Sequence, residues 1–131
     1  MREIKFRGKR INGGEWIESM TISYGTIKRK ENCVFFEIAE DNWQGVLPET
    51  VGQFTGLLDK NGKEIYEGDI LHTITSGFES EEYKTTIFYK DCRFQLANKR
   101  NLFYFGQSDL TRMDDTIVIG NIYDSPQLIN V

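Results

Sequence analysis

One histidine, two cysteines and two prolines are all that this chain of 131 residues holds of the residue types that most often build reactive or sharply kinked sites. With His72 the only imidazole, any general acid or base chemistry of that kind has to run through it. Cys33 and Cys92 stand far apart without Cys-x-x-Cys spacing, so neither a zinc site nor a disulfide framework is indicated. Both read as reduced cysteines packed as small hydrophobes. No Gly-x-Ser-x-Gly elbow and no phosphate loop occurs. A hydrolase built on these residues would have to rely on paired carboxylates such as Asp114 and Asp115 or Glu81 and Glu82. Neighbours of that kind point to opposite faces of a strand or are solvated on a loop. No metal and no cofactor is expected. No segment approaches the ~20 apolar residues of a membrane span, and the first residues alternate charged with apolar groups instead of forming a leader-like apolar run. The expectation is a cytoplasmic protein without membrane attachment.

What is present favours strands. The length suits a single domain with a real core, and aromatics make up 13% of the chain, nine Phe and six Tyr among them, alongside many Ile, Val and Thr. These side chains pack well on a pleated surface. The net charge of -4 hides an uneven distribution. Residues 1–30 carry eight basic and three acidic groups, residues 40–82 ten acidic groups against Lys60 and Lys63, and residues 83–112 six basic against two acidic. Such blocks provide a face for an anionic partner, complementary patches for self-association, or simply a solvated surface.

The chain is organised around residues 53–71, two apolar-rich runs joined by Asp59-Lys60-Asn61-Gly62, with a second turn at Glu67-Gly68. Asp bonds its own backbone and Asn-Gly tolerates positive φ, so the first is a turn by mechanism. As a calcium loop it fails, with its glycine two residues early and Ile70 where a glutamate is needed. A β-branched residue at Asn61 is expected to destabilise it. Upstream, Ile4 and Phe6 begin a strand, Asn12-Gly13-Gly14 turns the chain, and residues 15–24 read as one second strand. Lys28-Arg29-Lys30-Glu31-Asn32 reads as an exposed connection before an apolar strand over 33–38. Residues 40–45 read as a polar stretch around Trp43, and Pro48 is expected at a strand edge or start. Downstream strands are expected over 69–75, 83–89, 94–96, 102–105 and 116–123. A helical turn is expected at 108–113 and a short C-terminal helix at Ser125-Pro126-Gln127-Leu128. Short strands with turns every eight to twelve residues predict a mainly β fold, a small single-domain β-barrel or sandwich of antiparallel strands.

The opening Met1-Arg2-Glu3-Ile4-Lys5-Phe6-Arg7, the central Thr55-Gly56-Leu57 with Asp59-Lys60-Asn61-Gly62-Lys63-Glu64-Ile65-Tyr66-Glu67-Gly68-Asp69-Ile70, and the closing Ile119-Gly120-Asn121-Ile122-Tyr123 resemble the YopX family. The resemblance implies a mainly β fold and an origin in a bacteriophage or prophage, mostly of Gram-positive hosts. It brings no activity and no catalytic residues.

Function therefore rests on surface residues. Lys9, Arg10, Lys28, Arg29 and Lys30 converge if the second strand and its successor form neighbouring edges, where Trp16 or Tyr24 would offer a stacking platform beside them; Arg7 and Trp43 are further binding candidates. Against this, a pI near 5.1 lies well below that of a dedicated nucleic-acid binder, and Trp16 and Trp43 are more often buried anchors than platforms. The reading is a non-enzymatic accessory binding protein for nucleic acid or for a host or phage protein, with homo-oligomerisation as a further expectation. The alternative is a small phage enzyme acting on a nucleotide-like or other small substrate.

Overall fold

A computed structural model describes residues 3–27, 30–74, 82–90, 93–96 and 115–129. Backbone contacts group the chain into two compact units, residues 1–54 and 55–131. The mainly β fold is confirmed: eleven strands and two single 3-10 turns make up the regular structure of the described residues.

In the first unit, β1 (Phe6–Lys9) pairs antiparallel with β2 (Trp16–Ser19) and with the start of β6 (Gly52–Leu58). A second sheet runs in the order β3 (Ile22–Ile27), β4 (Lys30–Ala39), β5 (Asn42–Val46). Alternation sends Val34, Phe36 and Val46 inward, where Phe6, Ile17, Ile22 and Val51 pack against them. The single strand expected over 15–24 is broken at Met20 and Thr21. Ser19 Oγ accepts the Thr21 amide at 2.9 Å and donates to the Glu37 carbonyl at 2.7 Å, so a side chain takes over bonding that a continuous ladder would have used. Residues 40–45, the polar stretch around Trp43, divide between a turn and the start of β5. Glu40 and Asp41 make a hairpin turn into β5, and Asp41 takes φ 56°. Pro48 opens a 3-10 turn (Pro48–Thr50) instead of edging a strand, since at the first helical position its missing amide costs no bond.

In the second unit, later residues of β6 run beside β7 (Glu64–Tyr66), and a four-stranded sheet has the order β10 (Arg93–Leu96), β9 (Glu82–Lys90), β8 (Asp69–Ile74), β11 (Thr116–Asn121). Ile65, Leu71, Ile87 and Phe94 form its core with Leu57 and Val118. A buried hydroxyl pair, Thr73 and Thr116 at 2.8 Å, ties β8 to β11. The expected C-terminal helix is one 3-10 turn, Pro126–Leu128. None of these sheets closes into a barrel among the described residues, and open sheets fit the sandwich reading.

The turn at 59–63 is as expected, with one correction. Asp59 Oδ1 accepts the amides of Asn61 and Lys63, both at 2.8 Å, and the Asp59 carbonyl accepts that of Gly62 at 3.0 Å. The positive φ, 84°, falls on Gly62 and not on Asn61, so the strain predicted for a β-branched residue belongs one position later. The strand expected at 102–105, the helical turn expected at 108–113 and Cys92 lie outside the described residues, as does the side chain of Cys33.

Candidate functional site

Two surfaces of the first unit carry the sequence candidates. On β1, inward Phe6 and Gly8 alternate with outward Arg7 and Lys9, Lys5 precedes the strand in the same period, and the register sets Lys9 opposite Trp16 and Arg7 opposite Glu18. The Arg7 guanidinium lies 4.7 Å from the Trp16 ring centre and the Lys9 ammonium 5.7 Å from it. Lys5 lies 5.1 Å from the ring centre of Phe54, and its ammonium is 3.7 Å from Glu3 and 3.9 Å from Glu18. Cations over aromatic faces gain about 0.5–1 kcal/mol each at exposed sites. Of the sequence candidates, Arg7, Lys9 and Trp16 come together, and Lys5, Glu18 and Phe54, which were not among the candidates, lie with them. The period-two spacing of Lys5, Arg7 and Lys9 was the signal that reveals Lys5. None of the three cations is without other partners, and Trp16 is half-buried. The indole face therefore serves cations of its own chain, which leaves it poorly suited to stack a base.

Arg10 does not join this cluster. It ion-pairs with Glu15 across the turn, where the Arg10 amide also bonds the Glu15 carbonyl at 2.9 Å. The Glu15 carboxyl is held below the ordinary carboxylate range, first by its own backbone amide and then, against the opposing effect of burial, by Arg10. Lys28 and Arg29 lie outside the described residues. Lys30 begins β4 opposite Ile27, and its side chain is likewise outside them.

Trp43 lies on the other surface. On β5 it faces outward opposite Glu37, two positions from Gly45, which sits opposite Phe35. Ile11 covers Gly45: its amide bonds the Gly45 carbonyl at 3.0 Å, and a Cβ added at Gly45 would stand 3.1 Å from Ile11 Cδ1. Trp43 is 40% exposed and Ile11 53%. Three carboxylates lie toward the Trp43 end: Glu37 across the strand pair, Glu40 and Asp41 in the turn. The result is an apolar strip with an anionic end.

In the second unit, His72 Nε2 lies 2.7 Å from Glu82 Oε1, with Lys84 opposite His72 on β9 and Ile117 opposite it on β11. Asp59 is a buried carboxylate, with Oδ2 accepting the Val118 amide at 3.0 Å in addition to its two contacts in the turn. Those amides, Val118 first, hold its carboxyl below the ordinary range against burial, the largest single influence, which acts the other way. Asp69 is also buried and accepts the Tyr66 amide at 2.7 Å. Both aspartates are occupied in fixing turns. Among the described residues, no group of three His, Cys, Asp or Glu side chains is arranged to hold a metal ion, and no helix is long and apolar enough to cross a membrane.

No curated protein matches this chain. The chain is similar to protein EF1440 from Enterococcus faecalis, known from a crystal structure, at 26% identity over 98% of this chain and 99% of that one, with a TM-score of 0.59. The family model described as YopX protein matches residues 5–130, nearly the whole chain. The chain belongs to the YopX family.

Proposed function

We propose that this YopX-family protein is a non-enzymatic binding module, acting in the cytoplasm of a bacterial host as a phage or prophage accessory protein, and that its ligand is another protein. The observation that carries this reading is Trp43, which stands exposed on β5 opposite Glu37, two positions from the Gly45 that Ile11 covers, with Glu40 and Asp41 in the adjoining turn. An exposed aromatic next to apolar groups is the composition of an interface anchor. The carboxylates around it repel a nucleic-acid backbone and favour a partner with an apolar patch bordered by Lys or Arg.

Affinity capture from host lysate with wild-type protein and with Trp43→Ala, each with and without nuclease, tests it. The expected result is a captured protein that survives nuclease and is lost with Trp43→Ala, in line with the ~2 kcal/mol or more, about 30-fold, of an anchor residue. Capture that needs nucleic acid, or that ignores Trp43→Ala, overturns it. A second reading, a nucleic-acid binder, is favoured by the meeting of Arg7 and Lys9 over Trp16. There the two cations would contact phosphates and the indole would position them, in place of the base stacking expected of Trp16.

A further inference from the structure

We propose that Asn61-Gly62 is a site of spontaneous deamidation through a succinimide, kept closed by the turn anchored on Asp59, so that the covalent state of residue 61 records opening of that turn. The site lies in the second unit and is independent of the binding reading. Asn61 is exposed, and the residue after it has no side chain to shield its amide nitrogen. In the reaction the Gly62 nitrogen loses its proton and attacks Asn61 Cγ. A new C–N bond forms and the side-chain amide leaves as ammonia. Water then opens the ring at either carbonyl, giving aspartate or isoaspartate.

The folded turn opposes the first step at several atoms. The Gly62 amide proton is committed to the Asp59 carbonyl at 3.0 Å. Rotating that nitrogen onto Asn61 Cγ also disturbs the Asn61 and Lys63 amides, both held at 2.8 Å by Asp59 Oδ1. The turn is closed from its ends as well: the Asp59 amide bonds the Lys63 carbonyl at 2.8 Å and the Lys60 amide the Thr116 carbonyl at 2.8 Å. Attack therefore requires these bonds to open together, and the rate scales with the population of the open turn. An isoaspartyl product would insert a methylene into the backbone and place a new carboxylate beside buried Asp59. The turn could not then close as before, and β6 would lose its fixed register on β7.

The test incubates the full chain in mildly alkaline buffer, folded and in unfolding urea, and follows residue 61 by peptide-mapping mass spectrometry. Expected is deamidation in urea that Gly62→Ala suppresses, and at least tenfold slower deamidation in the folded protein, equivalent to about 1.4 kcal/mol of opening. Equal rates in the two states, or no product at residue 61 in urea, overturn the proposal. Asp59→Ala, where circular dichroism shows it folded, is expected to deamidate faster than wild type in native buffer; a folded variant at the wild-type rate overturns the role given to Asp59. If that variant does not fold, the wild-type comparison decides.

Discussion

Asp59 and Val118, 59 positions apart in the chain, are joined by a single hydrogen bond in which the Val118 amide donates to Asp59 Oδ2 at 3.0 Å. The same carboxylate holds the 59–63 turn through its other oxygen, so one side chain fixes both a local reversal and the placement of β11. Asp59→Ala leaves three part-buried amides without this acceptor, and is expected to cost about 2–4 kcal/mol. Urea unfolding checks it: the midpoint should fall with an unchanged slope.

The same carboxyl gives a pH dependence. Its folded-state pKa lies below its unfolded value, so its contribution is complete above the unfolded value of about 4 and is lost as pH falls toward the folded one. Wild type is therefore expected to lose stability below about pH 4 more steeply than Asp59→Asn. Parallel curves for the two proteins would remove this assignment.

Gly68 and Gly14 separate backbone strain from packing. Both have positive φ, 84° and 73°, but a Cβ at Gly68 would meet the Tyr123 ring at 2.9 Å while one at Gly14 would meet nothing within 4 Å. Gly14→Ala should cost about 1–2 kcal/mol, the backbone cost alone. Gly68→Ala should cost roughly 1–3 kcal/mol more. Thermal unfolding of both variants reads the difference.

Thr73 and Thr116 share a buried hydroxyl bond, so Thr116→Val should destabilise by about 1–3 kcal/mol by taking the partner from the Thr73 hydroxyl, and Thr73→Val by less, because the Thr116 hydroxyl still donates to Asp115 Oδ1 at 3.1 Å. The double variant should cost less than the sum, and a double-mutant cycle measures the coupling.

At the basic cluster, neutralising Arg7 and Lys9 together is expected to leave the salt dependence of any single-stranded DNA binding unchanged if the partner is a protein, and to lower the slope by one to two units if it is a nucleic acid. Fluorescence anisotropy over a salt series distinguishes the two, and the Lys28, Arg29 and Lys30 trio is tested in the same way.

The turn at 59–63 was legible because Asp-x-Asn-Gly carries its own mechanism, and the strands of the second unit because their alternation is regular. Less legible was the break at Met20: it depends on Ser19 reaching the Glu37 carbonyl, 18 positions away, which no local pattern encodes. Residues 40–45 showed no strand signal because Asn42 to Gly45 offer no apolar alternation and the one buried side chain of β5, Val46, comes at its end. At the candidate site, the sequence could name Arg7, Lys9 and Trp16 by type. Only cross-strand register could show that Arg10 turns to Glu15 and that Trp43 sits on a different sheet.

The two tryptophans make the protein its own optical probe. Both belong to the first unit, one half-buried under Arg7 and Lys9 and the other open to water on β5. Acrylamide should quench Trp43 in preference to Trp16, and the emission that survives should be bluer. A partner seated on one surface would then shield one emitter and leave the other unchanged, so an unlabelled titration can report which surface is engaged.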